Sequence, residues 1–400
     1  MRLTLVNQFY APDISPTAQL AASLAEHRAA YGDVVTVITG RAGYLEGLAP
    51  TGALQTGPGL RVRRAWTPDL GKSSVTRRLL GYVTFLVGSV VRLVALPRQD
   101  VIVAMTTPPF AVLGALLHKA LHRRTRVVLW SMDCYPDAAE RFGELRAGGV
   151  VSRLLRRVNR MAFRHIDHVV SLDGAMQHLL VSQYSPEPDR PEATVIPNWE
   201  RVAMFPAADV KPWDGYHELD IAGRTVVLYL GNTGVGHRFD TVLDAAARLG
   251  DDALFLFIGG GARWDELTNA VEERGLTNVE LRGYVPKDDT PAVMAGAHGA
   301  LITLDQRSLG VMSPSKLHAN LAAGLPILYV GPEGSNVDEA IVQTACGHSL
   351  REGDVDGLVA AVRGLRGDQG ARARSRQAFE RHYSDQATLP RWDAIIDTRP

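Results

Sequence analysis

The feature that most constrains the fold is an alternation of short apolar runs with helical patterns, which occurs twice along the chain. In the first half, runs such as DVVTVITG and TRVVLWSMD are each followed by a turn or a helical stretch. In the second half, RTVVLYLG and ALFLFIGGG start the same alternation again. Strands that alternate with helices are typical of a parallel sheet covered by helices. The sequence therefore predicts an α/β fold with two Rossmann-like domains.

The domain boundaries follow from where this periodicity stops. Residues 206–222 lose the pattern, and we interpret them as a linker between domains at 1–205 and 223–375. Residues 376–400 are predicted to form helices that return to the N-terminal domain. Two facing Rossmann-like domains would enclose a deep cleft at the carboxyl ends of their strands, where ligands bind in such folds.

The composition excludes several classes of protein. The formal net charge is zero, which argues against a nucleic-acid-binding surface. The two cysteines, Cys134 and Cys346, lie far apart in the sequence, so we expect a reducing, cytoplasmic compartment. The strongest apolar run, residues 79–91, is too short to span a bilayer. We therefore expect a soluble or peripheral protein.

Two predicted strands end in glycine-rich loops. The loop YLGNTGVGHRFD has the spacing G-x-x-G-x-G, which differs from the dinucleotide fingerprint G-x-G-x-x-G, so NAD is not expected. An open backbone before a helix suits a diphosphate. The second loop contains Gly259–Gly261. The alternative for both loops is structural, namely tight turns and close strand–helix packing.

The stretch GVMSPSKLHANLAAGLPI places Lys316 at a predicted helix start, directly after Ser315. The amino end of a helix already favours anions, so a lysine there destabilises the helix unless an anion lies opposite. One interpretation is a phosphate-binding lysine, and the alternative is a surface side chain beside a turn.

Taken in order, the motifs GNTGVGHRFDTVLDAA, FIGGGARWDEL, LRGYVP and PSKLHANLAAGLPI resemble those of the GT-B glycosyltransferases of family 4. The bacterial envelope-polysaccharide members typically carry D-x-Y-P-D and I-P-N-W. Both occur here, in DCYPDAAERFG (133–143) and VIPNW (195–199). The resemblance spans nearly the whole chain.

The resemblance implies that a nucleotide sugar, with UDP as the expected nucleotide, binds to the C-terminal domain. It places the base between Gly283–Val285 and the loop at Gly259–Gly261, and the diphosphate at Ser315 and Lys316. The implied donor-binding residues are Gly231, Asn232, Thr233, Gly234, Arg238, Gly259, Gly260, Gly283, Tyr284, Val285, Ser315, Leu317 and Asn320.

The sequence departs from the family pattern at two places. A basic pair of many members falls on Asn232 and His237, which leaves Lys316, His237 and Arg238 to supply positive charge. The two glutamates of the E-x7-E motif fall on Val311 and Ala319. Asn320 is the expected substitute for the second of these glutamates, which holds the ribose, with Glu333 as a more distant candidate.

The resemblance also implies a retaining, metal-independent transfer without a cofactor, of the hexosyl or N-acetylhexosaminyl type. We expect the catalytic residues to be Asp133, Lys316 and His237. The alternative for Asp133 is a cap for the following helix. The acidic pairs Asp251–Asp252 and Asp288–Asp289 are interpreted as turn residues, and no metal ligand is predicted. The residues expected at the acceptor side of the cleft are Ser15, Pro16 and Thr17 of the loop 11–17, and Tyr135.

Residues 150–164 predict a helix with a basic face. Its spacing places on one side Arg153, Arg156, Arg157, Arg160 and Arg164. Such a face suits the anionic inner membrane surface, and a lipid-linked acceptor would fit the resemblance. A glycan or a small molecule is also open as acceptor. The alternative is a solvated face, with residues 79–91 forming a buried crossover helix.

Two other functions remain open from the sequence. A nucleotide-sugar 2-epimerase shares the two-domain architecture, although the PSKL and IPNW motifs fit it poorly. A catalytically inactive scaffold that binds nucleotide sugars is compatible with Val311 and Ala319 in place of the two glutamates.

Overall fold

A computed structural model describes residues 1–13, 15–41, 57–67, 75–187, 190–206 and 210–398. The chain divides into two compact units. The first unit comprises Met1–Ile196, Gly310–Met312 and Leu389–Pro400, and the second comprises Pro197–Leu309 and Ser313–Thr388. Of the predicted loop and linker, Ile14 and residues 207–209 lie outside the described residues.

The first unit is built on a seven-stranded parallel sheet. Its strands are β1 (Arg2–Val6), β2 (Val34–Thr39), β3 (Leu60–Arg64), β4 (Val101–Met105), β5 (Arg126–Trp130), β6 (His168–Ser171) and β7 (Glu192–Val195). They follow the order β3-β2-β1-β4-β5-β6-β7. Every residue of β4, β5 and β6 is buried, as expected for a parallel sheet with both faces covered.

The helices of the first unit connect these strands. They are α1 (Pro16–Ala30), α2 (Val75–Val94), α3 (Val112–Leu121), α4 (Asp137–Arg141), α5 (Val150–Phe163) and α6 (Gly174–Tyr184). Strand β3 escapes the sequence analysis because its LRVRR pattern alternates buried and exposed residues, as an edge strand does.

The second unit repeats the architecture with six parallel strands. They are β8 (Thr225–Asn232), β9 (Ala253–Gly260), β10 (Val279–Arg282), β11 (Gly299–Thr303), β12 (Ile327–Val330) and β13 (Gly347–Leu350). Their order is β10-β9-β8-β11-β12-β13. Alternate residues of β8 enter separate cores, with Val226 and Leu228 on one face and Val227 and Tyr229 on the other.

Helices cover the sheet of the second unit and lead to the carboxyl end of the chain. They are α7 (Asp240–Leu249), α8 (Trp264–Glu273), α9 (Thr290–Ala295), α10 (Lys316–Ala322), α11 (Asn336–Thr344), α12 (Val355–Gly364), α13 (Ala371–Ala378) and α14 (Asp385–Ile396). A π-helical turn, Phe379–Tyr383, separates α13 from α14. None of the helices in the described part of the chain is long and apolar enough to cross a membrane.

The end of α14, from Leu389 onward, belongs to the first unit. Trp392 is fully buried and its ring lies 4.5 Å from that of Trp130. Asp393 and Asp397 pair with the buried Arg28 at 2.9 and 2.6 Å. Apolar burial and a multiple ion pair thus hold α14 against α1 and β5.

Candidate functional site

The strand order of the second unit reverses between β8 and β11. Ligands in open α/β sheets bind outside the carboxyl ends of the strands at such a reversal. Here β8 ends at Asn232 and β11 at Thr303. Two predicted site residues, Lys316 and His237, each contact one of these strand ends.

Lys316 is the first residue of α10, and its side chain runs along the end of β8. Its Nζ donates to the carbonyl oxygen of Asn232 at 2.8 Å and lies 4.9 Å from the centre of the Tyr229 ring. Gly231 lies beside this side chain with φ +115°, and an added Cβ would be in van der Waals contact with Cε of Lys316 at 3.4 Å, so the backbone conformation rather than the space favours glycine here. Lys316 therefore lies half-buried against the end of β8, and its role in phosphate binding stays a prediction.

His237 lies against the end of β11. Its Nδ1 is 2.7 Å from the carbonyl oxygen of Thr303, which can only accept, so Nδ1 carries the proton in the neutral ring. Its Nε2 then holds a lone pair, and it lies 3.5 Å from Nζ of Lys316. The histidine therefore faces the lysine as an acceptor.

The pKa values of the pair are shifted strongly. Burial lowers the pKa of Lys316 to about 7. Burial and the charge of Lys316 lower the pKa of His237 to about 3, with a further contribution from Arg263. In the protein without a bound donor, the ring of His237 is therefore neutral at physiological pH and supplies no positive charge.

Arg238, also expected to supply charge, is directed elsewhere. It is exposed and pairs with Glu352 at 3.0 Å and with Asp240 at 3.5 Å. Sequence analysis missed Arg263, which follows the second glycine loop and donates its backbone N–H to the carbonyl of Thr233. Arg263 lies close enough to His237 to lower its pKa, although its guanidinium also contacts Glu266.

The second glycine loop is required by packing. Gly259 has φ +151°, and an added Cβ would lie 2.2 Å from the carbonyl oxygen of Gly231. Gly261 has φ +134°, with Asn232 Oδ1 at 2.1 Å from the same added atom. The buried Thr233 donates its backbone N–H to the carbonyl of Gly260 at 2.7 Å. The structural alternative thus accounts for Gly259 and Gly261, and the contact fixes the end of β8 beside β9.

The residues expected around the base lie next to these loops. Tyr284 is 65% exposed, and an added Cβ on Gly260 would meet its ring at 3.0 Å. Gly283 is exposed with open space around it, and Val285 is partly buried against the core. The fold therefore brings an exposed aromatic ring to the rim of the second glycine loop. Gly234 lies beside Asn232, with an added Cβ 3.4 Å from its Nδ2.

The predicted donor-binding residues in and before helix α10 differ in their surroundings. Leu317 is fully buried in the apolar core, so its side chain packs inside the unit, and only its backbone is left for the predicted donor contact. Asn320 is buried, and its Oδ1 has no hydrogen-bond partner among the described residues. Ser315 precedes α10, but its hydroxyl does not form the hydrogen bond that would cap this helix. A buried unpartnered amide oxygen indicates a place for a ligand donor group.

In the first unit, Asp133 lies three residues after the end of β5. The backbone N–H groups of Met132 and Asp133 donate to Oγ1 of Thr106, at 2.9 and 3.1 Å. Burial raises the pKa of Asp133 to about 6. The helix-cap alternative is wrong, because the N-cap of α4 is Pro136.

A segment from late in the sequence supports the Asp133 loop. Asp133 forms a β-bridge with Met312, and Cys134 donates its N–H to the carbonyl of Val311 at 2.9 Å. Val311, the position of a missing family glutamate, is thus a fully buried residue of the first unit. Tyr135 is half-buried, and its carbonyl accepts from Asn159 at 2.7 Å.

The residues expected in the loop 11–17 are partly helical. Ser15 is the N-cap of α1 and accepts from the N–H of Ala18, while Pro16 and Thr17 form the first turn. The prediction of a loop at Pro16 and Thr17 is therefore wrong, because a proline fits the first helical position.

Sequence analysis missed the polar end of β1. Asn7 and Gln8 are buried, and neither Oδ1 of Asn7 nor Oε1 of Gln8 has a partner among the described residues. They follow the end of β1, next to β4, and the strand order of this sheet reverses between these two strands. The sequence contains a pattern that could have predicted this site, because two amide side chains directly follow an apolar strand.

The acidic residues examined for metal binding serve other roles. Asp251–Asp252 and Asp288–Asp289 lie in short 3₁₀ turns. One Asp-x-Asp triplet occurs at Asp354–Asp356, where Asp354 caps α12 and Asp356 pairs with Arg248. Within the described ranges, no group of three or more His, Cys, Asp or Glu side chains is arranged to hold a metal ion.

Comparisons with known proteins identify both halves of the chain. Residues 17–199 match the family described as glycosyl transferase 4-like domain, and residues 224–368 match the family described as glycosyl transferases group 1. WbjE of Pseudomonas aeruginosa, which carries the name glycosyltransferase, is 27% identical over 64% of this chain. The chain spans 64% of the length of that relative.

Two further comparisons cover more of the chain. WcaI of Escherichia coli K12, named as a glycosyl transferase of colanic acid biosynthesis, is 26% identical over 81% of this chain and 82% of its own length. The crystal structure of Anabaena HepE in complex with UDP and glucose shares the fold, with a TM-score of 0.70 at 15% identity over 100% of both chains. The chain therefore belongs to the glycosyltransferases of GT-B type, in family 4.

Proposed function

We propose that this glycosyltransferase moves a hexosyl or N-acetylhexosaminyl group from a UDP-sugar to a hydroxyl acceptor, with retention of configuration and without a metal ion. The observation that carries the donor part is the position of Lys316 at the order reversal of the second sheet, within 2.8 Å of the end of β8. The relatives support the class of reaction, since WcaI is named for polysaccharide synthesis and HepE was crystallised with UDP and glucose.

Lys316 is the residue that we assign to the donor diphosphate. Its ammonium makes one hydrogen bond to a carbonyl, and no carboxylate among the described residues pairs with it. A charged donor with spare N–H groups stabilises the negative charge that grows on a leaving diphosphate. His237 then acts as a positioning residue, because its neutral ring and the bond to Thr303 orient the ammonium.

We assign the remaining donor contacts to two further residues of the second unit. Tyr284 offers an exposed ring beside Gly260 for the uracil base. Asn320 offers an amide oxygen, without a partner among the described residues, to the ribose hydroxyls. An amide can accept and donate hydrogen bonds, so it can replace the glutamate of other family members, although without its charge.

For the transfer itself we propose attack from the face of the leaving group. The acceptor oxygen bonds to the anomeric carbon while the bond from that carbon to the diphosphate oxygen breaks. The acceptor proton passes to the departing phosphate, and the configuration is kept. Asp133, whose raised pKa reflects a buried carboxyl, is the residue of the first unit that we assign to the acceptor or the sugar.

The test is a panel of radiolabelled UDP-sugars incubated with the purified protein, with and without an acceptor extract. We expect label in an acceptor-dependent product together with free UDP. Isomerised UDP-sugar without transfer would indicate an epimerase instead. Binding of UDP-sugars by calorimetry with neither product would indicate a scaffold, and no binding at all would contradict the donor site.

A further inference from the structure

Helix α2 is apolar on its exposed side as well as on its buried side. The exposed residues, spaced to lie on one face, are Leu80, Val83, Val87, Val91 and Val94, at 40% to 61% exposure. Phe85 and Leu93 are fully buried on the opposite side. A helix at a protein surface normally presents polar residues to water. Residues 79–91 thus belong to a helix that connects β3 to β4, as the alternative predicted, but one side of this helix is exposed rather than buried.

Helix α3 extends this apolar face. It packs against α2 through Gly114, where an added Cβ would lie 2.9 Å from Cδ1 of Leu93. Its own exposed side carries Leu113, Leu117 and Leu121, at 40%, 45% and 57% exposure. An exposed apolar patch that continues over two neighbouring helices marks an interaction site.

Helix α5, which also packs against α3, adds positive charge to the surface. Val150, Leu154 and Met161 are 56% to 74% exposed. Beside them, four arginines of this segment are exposed, namely Arg153, Arg157, Arg160 and Arg164. The predicted fifth member, Arg156, instead turns inward and pairs with Asp137 and Glu140 at 2.7 and 2.6 Å, so its place on the basic face was wrong.

The charged side chains of helices α2, α3 and α5 are all positive. Helices α2, α3 and α5 contain no aspartate or glutamate, although the whole chain has as many acidic as basic residues. A second copy of the chain would bring arginines against arginines, which costs free energy. An anionic partner with an apolar interior satisfies both features of the surface.

We propose that the exposed sides of α2, α3 and α5, here called the α2–α3–α5 surface, dock on an anionic lipid bilayer. The apolar side chains enter the boundary between headgroups and acyl chains, and the arginines contact lipid phosphates. The helices lie in the plane of the membrane. This inference is independent of the donor assigned above, because it rests on exposed side chains of the first unit alone.

The experiment is flotation of the full chain with vesicles of phosphatidylcholine alone or mixed with phosphatidylglycerol. We expect the protein to float with the anionic vesicles, and added salt to weaken binding by screening the arginines. Replacing two basic residues, in Arg153→Gln with Arg157→Gln, should lower the partition constant by roughly 25-fold, or about fivefold for each. The matched control is Arg248→Gln with Arg363→Gln, two exposed arginines of the second unit.

The apolar part is tested by Val83→Ser, Val87→Ser and Val91→Ser together. Each buried methylene changes membrane partition by about fourfold, so we expect a loss of more than about tenfold. Val342→Ser, at a valine 76% exposed on α11, is the control and should bind as the parent does. Thermal melting of each variant shows that it remains folded.

Three results would overturn the proposal. The parent protein could fail to float with anionic vesicles at low salt. The triple serine variant could float as well as the parent. Sedimentation without lipid could show a dimer that the serine substitutions dissociate, in which case the surface pairs two copies of the chain.

Discussion

Nζ of Lys316 lies 3.5 Å from Nε2 of His237, and the histidine is the acceptor of the pair. Because Nδ1 of His237 is committed to the carbonyl of Thr303, the ring keeps its lone pair toward the lysine. Lys316 therefore has neutral partners only among the described residues, a carbonyl and an imidazole. When Lys316 is protonated, no carboxylate among the described residues compensates its charge, and this lack of a counter-charge together with burial favours the neutral form until an anion binds.

Replacing Lys316 should weaken donor binding. We expect Lys316→Ala to reduce the affinity for UDP by roughly 1.5–3 kcal/mol, the usual contribution of a charge-assisted hydrogen bond. Isothermal titration calorimetry measures it directly. Lys211→Ala, which removes an exposed lysine paired with Asp214, is the control and should leave the affinity unchanged. Equal affinities for both variants would exclude Lys316 from the donor site.

Donor binding should take up a proton above neutral pH. The pKa of Lys316 is lowered to about 7 in the free protein, and a bound diphosphate raises it again by attraction. Near pH 8, UDP binding should therefore consume up to one proton, and affinity should fall as pH rises. Calorimetry in buffers with different ionisation enthalpies counts the proton. Lys316→Met should abolish the uptake, and an unchanged count would contradict this assignment.

Asp133→Asn should lower turnover while donor affinity stays constant. In the parent enzyme, kcat should fall as pH drops through about 6, where the Asp133 carboxylate takes up a proton. Steady-state kinetics over pH would show this limb, and the variant should lack it. Parent-like kinetics in Asp133→Asn would remove the residue from the reaction.

The same substitution should stabilise the fold at neutral pH. The pKa of Asp133 is raised above its unfolded value, so the folded state binds more protons and loses stability as pH rises from about 4 to 6. Asp133→Asn removes this cost, and its melting temperature should exceed that of the parent at pH 7. The difference should vanish near pH 4.

Replacing Gly259 with alanine should destabilise the fold, whereas replacing Gly283 should not change its stability. Gly259→Ala forces a Cβ to 2.2 Å from the carbonyl oxygen of Gly231, so we expect a loss of more than about 2 kcal/mol in unfolding free energy. Gly283→Ala meets no atom within 4 Å and should melt as the parent does. Urea denaturation compares the two, and a stable Gly259→Ala protein would contradict the packing argument.

Arg28 should anchor the last helix. It is 1% exposed and pairs with Asp33, Asp393 and Asp397. Arg28→Met leaves these carboxylates without their shared cation, so we expect a loss of about 3–5 kcal/mol. Arg98→Ala, which breaks an exposed pair, should change stability by less than about 1 kcal/mol.

Local patterns in the sequence determined the architecture. Buried strands such as VIVAM and RVVLW, and the turns between them, follow from periodicity because a residue's place in a strand depends on its near neighbours. The same holds for Lys316 at a helix start and for Asp133 after a strand. Strand β13 was missed because GHSL lacks the branched side chains that mark a strand.

Only the tertiary structure decided the state and direction of the side chains. The sequence cannot show that His237 is neutral, because its pKa is lowered by burial and by Lys316, which is distant along the chain. It equally cannot separate Arg156, which meets Asp137, from Arg153, which faces solvent. Burial and charge pairing are properties of contacts between remote segments, so local spacing predicts the elements of this protein and the packing of those elements determines their chemistry.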